Sequence, residues 1–276
     1  MSRFIQIKTK ASEFDGEFRW QAAGMSYLII NEKHEYAVID GGELLSDAEE
    51  LYRMMKEDSG KDVVTVDYWF ITHPHGDHLW ALYNMAQNDE LRSKFIVKKL
   101  LFSVPEQYER CAKEIGQLKF ITEKLGAEHI EPVRGDKFAF GDIEFEFYMT
   151  YKDLEKPSDP NELSMIFSVK GKNKKAMIVG DAYAAGCAAA VRLLKQEDRV
   201  RDLKSDIIQI AHHGLNGGDV DFYHYVGAEI AMVPISKSGY LAINKPWDRC
   251  ATPNVFAQQH ATSVFYAFEG TVGIEL

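Results

Sequence analysis

The residues best suited to chemistry lie in Ile71-Thr72-His73-Pro74-His75-Gly76-Asp77-His78, where three histidines and one aspartate fall within six consecutive positions. Imidazole and carboxylate together suit zinc, manganese or iron. The His73-x-His75 pair can chelate one ion, and Asp77 and His78 can turn toward a second. Two later segments offer matching donors, Gly180-Asp181 and Ala211-His212-His213-Gly214. Asp181 can bridge two ions because a carboxylate has two oxygens. At least one of His212 and His213 is expected to be a ligand. A two-metal site of this kind makes hydroxide at neutral pH and clamps the oxyanions of a hydrolytic transition state. Asp40, in Ile39-Asp40-Gly41-Gly42, reads as a carboxylate that holds a ligand histidine rather than a direct ligand.

Each donor segment follows an apolar run that reads as a buried strand: Trp69-Phe70-Ile71, Met177-Ile178-Val179 and Ile207-Ile208-Gln209-Ile210. Strand ends backed by a packed core are rigid platforms, and the loops leaving them are where sites are built. The other elements follow from periodicity and punctuation. Met25 to Ile30 and Tyr36 to Ile39 read as strands joined by the turn Asn31-Glu32-Lys33. Ser46-Asp47-Ala48-Glu49 predicts a capping box ahead of a helix whose Leu51, Met54 and Met55 face the core. Leu79 to Tyr83 begins a helix directly after the histidine motif. Leu100 to Phe102 is a short strand, and Pro105 opens a helix that runs to Leu125 and stops at Gly126. Phe138 to Phe147 reads as strand, Gly-Asp turn, strand. Met165 to Val169 and Ala176 to Val179 form a hairpin around Gly171-Lys172-Asn173. A helix from Ala184 to Gln196 follows. Then come the strands Asp206 to Ile210, Ile230 to Val233, Val264 to Phe268 and Val272 to Ile274. Hairpins and helices in both halves indicate two sheets with helices outside, an α+β fold, rather than one doubly wound sheet.

The chain has 276 residues, 46% hydrophobic and 27% charged, enough for a sizeable core. A net charge of -10 gives no counterion-release drive toward long nucleic acid and no attraction to anionic membranes. Cys111, Cys187 and Cys250 are far apart and form no C-x-x-C pair, which argues for free thiols over a disulfide framework or a zinc ribbon. No run of apolar residues is long enough to span a membrane and no leader is evident, so a cytoplasmic location is expected.

At these residues the chain resembles the metallo-β-lactamase superfamily. The segments Ile39-Asp40-Gly41-Gly42, His73 to His78, Gly180-Asp181 and His212-His213-Gly214 occur in that order. The resemblance implies a four-layer αββα sandwich with metals at one edge of the two sheets, here as one hydrolase domain over residues 1–276. Asn161-Glu162-Leu163-Ser164 and His212-His213-Gly214 are most similar to the branch containing the hydrolase domain of competence-type DNA-uptake proteins. Three features depart from that pattern. Only His129 stands where many members have a further ligand histidine, and it is not assigned. Leu79-Trp80 occupies positions where the branch often has small residues. Asn244-Lys245-Pro246 falls where it often has a His-Pro.

On that resemblance, His73 and His75 bind one of two divalent ions, Asp77, His78 and His213 bind the other, and Asp181 bridges. Zinc is the expected metal, with manganese or iron as alternatives. A metal-bound hydroxide is the expected nucleophile, Asp77 orients it, and His212 contacts the substrate or protonates the leaving group. Phosphoesters lead as the substrate class, on the model of a phosphodiesterase. A lactam, lactone or thioester hydrolase on the same site, or a non-hydrolytic metal-binding sensor or redox module, are the rival readings.

Overall fold

The computed structural model describes residues 1–13, 24–243 and 252–276. Seven strands form one mixed sheet: β1 (Arg3–Gln6), β2 (Ser26–Ile30), β3 (Tyr36–Asp40), β4 (Val64–Phe70), β5 (Phe95–Leu101), β6 (Glu128–Ile130) and β14 (Val272–Glu275), in the order β14-β1-β2-β3-β4-β5-β6. Seven more form the other: β7 (Lys137–Phe140), β8 (Ile143–Met149), β9 (Ile166–Lys170), β10 (Lys175–Ile178), β11 (Ile207–Gln209), β12 (Ile230–Val233) and β13 (Ser263–Tyr266), in the order β13-β12-β11-β10-β9-β8-β7. Strands β3 to β6 run parallel, as do β10 to β13. The remaining pairs are antiparallel and include the Gly141-Asp142 hairpin between β7 and β8.

The inner faces of the sheets meet in a layer rich in phenylalanine, where Phe70 stacks on Phe167 at 5.2 Å and lies 4.6 Å from Phe145. Phe70 stands three positions before His73, so the histidine motif is anchored directly to this layer. Truncating such a ring costs ~3–5 kcal/mol. On the outer face of the first sheet pack α1 (Leu45–Ser59), α2 (Gly76–Gln87), α3 (Asp89–Arg92) and α4 (Ala112–Leu125). On the second pack α5 (Ala184–Gln196), α6 (Val220–Val226), α7 (Lys237–Ile243) and α8 (Thr252–His260). The result is the expected αββα arrangement. Among the described residues no helix is long and apolar enough to cross a membrane.

Four local expectations are corrected. Helix α2 begins at Gly76, inside the motif, so Asp77 and His78 occupy its first turn. The N-cap of α1 is Leu44 rather than Ser46: α1 begins at Leu45, and the carboxylate of Asp47, inside the first turn, reaches back to accept from the backbone N–H of Leu44 at 2.9 Å and of Glu43 at 3.0 Å. Helix α4 starts at Ala112, not at Pro105. Tyr108 is drawn into an extended conformation, with its hydroxyl on the Pro157 carbonyl at 3.3 Å, and a 3₁₀ turn over Glu109–Cys111 leads into the helix. The last strand of the second sheet ends at Tyr266, where Ala267–Glu269 turns. Cys111 and Cys187 are buried free thiols. Cys250 and Asn244-Lys245-Pro246 lie outside the described residues.

Candidate metal centre

The candidate residues leave the carboxyl ends of the parallel strands along one edge of the sandwich. Asp40 ends β3, the histidine motif follows β4, Asp181 follows β10, and His212 and His213 follow β11. Tertiary bonds lock these ends to each other. Asp181 N–H donates to Ser164 Oγ at 3.1 Å, and His212 N–H donates to the Gly180 carbonyl at 3.1 Å. The serine of Asn161-x-x-Ser164 thus fixes the aspartate's backbone. Gly180 has φ +54°, and a Cβ there would lie 3.0 Å from the Thr72 side chain and 3.1 Å from Ser164 Oγ. Asp40, His212 and His213 also hold left-handed backbone, at φ 61°, 48° and 55°. Each costs ~1 kcal/mol or more in a residue other than glycine, and such strain collects where side chains must be aimed.

The side chains converge in two groups that share a neighbourhood around Asp181. His73, His75 and Asp181 form one; Asp77, His78 and His213 form the other. In the first, His73 Nε2 lies 3.1 Å from His75 Nδ1 and 3.7 Å from Asp181 Oδ2. In the second, His213 Nε2 lies 3.1 Å from Asp77 Oδ2 and 3.2 Å from His78 Nε2. Asp181 Oδ2 lies 3.3 Å from His78 Nε2 and 3.4 Å from His213 Nε2.

Outer partners decide which ring nitrogens face inward. His78 Nδ1 donates to Asp40 Oδ2 at 2.7 Å, and His213 Nδ1 donates to the Pro234 carbonyl at 2.6 Å. Both partners accept, so each Nδ1 carries the hydrogen and each ring turns its Nε2 inward, where it offers a lone pair to a metal ion once that nitrogen is deprotonated. Asp40 is fully buried and also accepts from Thr72 N–H at 2.7 Å and Thr72 Oγ1 at 2.9 Å. Having given its proton to Asp40, the Thr72 hydroxyl can only accept from His73 Nδ1, 3.2 Å away. One buried carboxylate therefore orients a histidine in each group: His78 directly and His73 through Thr72.

The result is a dense cluster of acceptors. Two ring nitrogens face each other at 3.2 Å, with the carboxylates of Asp77 and Asp181 beside them. Asp181 Oδ1 is buried and has no hydrogen-bond partner among the described residues. Such an arrangement is repulsive unless cations enter it. The pKa directions say the same. Burial opposes charge on Asp181, but His213, His78 and His73 outweigh it and hold the carboxyl well below its ordinary range. Burial likewise opposes charge on Asp77, and His78 and His213 still bring its pKa down. Burial disfavours a charged His213, yet Asp181 and Asp77 push it up to about 10. His78 moves upward against burial for the same reason, under the pull of Asp181, Asp40 and Asp77. His73 moves down, by burial first and then by His78, and so stays neutral. Asp40 is pushed up by burial, with His78 and Thr72 working against it. Nitrogen and carboxylate oxygen donors without sulfur fit zinc, manganese or iron.

The centre opens into a cleft of about 580 Å³. His75, Asp77, Asp181, His212 and His213 face it from the metal side. His212 commits its Nδ1–H to the Asn216 carbonyl at 2.6 Å, and its Nε2 lies 3.8 Å from Asp181 Oδ2. Its place is therefore at the edge of the acceptor cluster, with His213 inside it. Asn161, Tyr183 and Asn216 line one flank, with Asn161 Nδ2 donating to the Tyr183 hydroxyl at 2.8 Å. Trp80, Lys113 and Glu114 line the other. The sequence reading missed Thr72, Tyr183 and Lys113. Tyr183 carried a usable signal, standing two positions after Asp181; Lys113 carried none. His129 is elsewhere, stacked on Phe102 at 3.8 Å in a separate cleft.

The family model described as "Metallo-beta-lactamase superfamily" matches residues 20–225. No curated protein matches by sequence. Among solved structures, the chain is similar to the metallo-beta-lactamase fold protein YhfI from Bacillus subtilis, at 11% identity and TM-score 0.57, over 99% of this chain and 100% of that one. It is similar to Zn(2+)-bound PqqB from Methylobacterium extorquens at 9% identity and TM-score 0.59, over 100% of each chain. It is also similar to a diphosphatase from the PhnP family at 14% identity and TM-score 0.52, over 100% of this chain and 98% of that one.

Proposed function

The chain belongs to the metallo-β-lactamase superfamily, and we propose that it is a dinuclear, zinc-dependent hydrolase of phosphoesters, built as one domain and akin to the competence-type branch. The observation that carries this reading is Asp181: a buried carboxylate with one oxygen unpartnered among the described residues and the other within 3.3–3.7 Å of histidines from both donor groups. His73, His75 and Asp181 would hold one ion; Asp77, His78 and His213 the other, with Asp181 shared. Bound divalent ions supply Lewis acidity, lowering the pKa of water and neutralising charge that develops on the substrate.

The chain's own groups do the rest. The Asp77 oxygen turned away from His213 orients the attacking water. His212, its Nδ1–H committed, presents Nε2 to the cleft, accepting a hydrogen bond from the substrate when neutral and donating one when protonated. Asn161 and Tyr183 offer polar contacts on the same flank. A phosphoester suits a cleft that sets these polar groups beside the donor cluster. The relation to a PhnP-family diphosphatase agrees with this substrate class, although at 14% identity it speaks for the fold alone.

The test is a substrate panel on zinc- and manganese-loaded protein: bis-p-nitrophenyl phosphate, a lactone and nitrocefin. Phosphodiester turnover with little on the other two supports the proposal. The reverse order moves the chain to lactone or lactam hydrolysis. No turnover, together with iron and visible absorbance in the purified protein, replaces it with a redox or sensing role.

A further inference from the structure

One wall of the cleft has no part in the reaction as described. Trp80 stands in the second turn of α2, directly after the metal motif, where small residues would open the cleft. Its indole is anchored. Nε1 donates to Oε1 of the buried Gln117 at 3.2 Å. The ring also lies so close over Gly76 that a Cβ there would come within 2.5 Å of its Cε2. Lys113, in the first turn of α4, sets its ammonium 5.3 Å from the centre of that ring. Among the described residues Lys113 makes no ion pair, although Glu114 is its neighbour.

We propose that Lys113, steadied on Trp80, is a specificity-determining residue that binds an anionic group on the non-reacting arm of the substrate. This rests on the phosphoester reading and names a second charge the substrate must carry, a carboxylate or a further phosphate. The attraction of an ammonium to the face of an indole holds this exposed, flexible lysine beside the cleft. Among the described residues no carboxylate claims its donors, and a compact point charge suits carboxylate and phosphate alike. In a chain of net charge -10, whose cleft is also lined by Glu114, this ammonium places a positive charge where an approaching anion enters. A neutral arm gains nothing from it.

Calorimetry on the metal-loaded full chain compares phenylphosphonate with its 3-carboxy and 4-carboxy derivatives, all of which can anchor at the metals. The wild-type protein binds at least one carboxylated ligand ~5-fold more tightly, the size expected for a solvent-exposed ion pair. Lys113→Gln removes that preference and leaves the Kd of phenylphosphonate unchanged; Lys113→Glu inverts it. The preference shrinks between low and high salt, as an exposed charge requires. Equal Kd values across the set on the wild-type protein, a preference that survives Lys113→Gln, or no phosphonate binding at all overturns the assignment. Failure of the hydrolase reading shows up separately, as absence of phosphodiester turnover by the wild-type protein whatever the ratio of Kd values.

Discussion

On one side of Asp181 stand His78 and His213, and on the other His73 and His75, the same kind of donor held in different ways. His78 and His213 are buried, and each is tied through Nδ1 to a strong acceptor, Asp40 at 2.7 Å and the Pro234 carbonyl at 2.6 Å. His73 is buried but reaches Asp40 only through the Thr72 hydroxyl. His75 is half-buried, faces the cleft, and among the described residues its ring has no hydrogen-bonding contact besides His73. A ring whose far nitrogen is fixed is already aimed before a cation arrives, so less order is lost on binding. The two groups should therefore bind ions unequally. The Asp77, His78, His213 group should hold tightly, and the His73, His75, Asp181 group should exchange with the cleft.

The largest break in this comparison comes from the carboxylate the two groups share. Asp181→Ala is expected to abolish binding in one group, weaken the other, and reduce phosphodiester hydrolysis by ~10³-fold or more. Metal analysis alongside turnover checks it; full activity would sink the bridging role. Asp40→Asn acts one layer out. It keeps a residue that tolerates φ 61° but replaces the acceptor of His78 Nδ1–H. The tightly held ion should lose ~10–100-fold in affinity by chelator competition. Thr72→Val cuts only the relay to His73 and the hydroxyl's bond to Asp40. Its effect should fall on the loosely held ion, ~10-fold, with the tight ion little changed.

The smallest effect is on the stability of the metal-free chain against pH. The carboxyls of Asp77 and Asp181 are depressed, so their contribution is present above about pH 4 and lost as the pH falls below it. His213 is raised to about 10 and His78 is raised with it, so theirs is complete below about pH 6.5 and lost as the pH rises through that range. The Tm of metal-free protein should fall steadily from pH 6.5 to 10, whereas metal-loaded protein should not follow, because cations have taken the place of the protons. Parallel melting curves for the two forms would refute this.

Much of the site could be read in the chain because its donors are dense and each follows an apolar strand. His73 to His78, Asp181 and the His212-His213 pair stood out in that way, and so did the two-sheet architecture. What could not be read depends on distant backbone. Nothing in the sequence marks the Pro234 carbonyl as the partner that turns His213 inward, or the left-handed φ values of His212 and His213 that separate their roles. The helix start at Pro105 misled for a similar reason: a tyrosine bonded to a loop 49 positions away overrode a local signal. Trp80 stood out as a departure, but its partner Lys113 lies on another helix and has no local signature.

The most direct test of two unequal metal sites is stepwise removal of zinc from the wild-type protein by a chelator of graded strength, with bound metal counted at each step. Two ions per chain leaving in separate steps, with Thr72→Val moving only the first step and Asp40→Asn moving chiefly the second, is the predicted result. A single ion per chain, or two that leave together and respond alike to both substitutions, would contradict it.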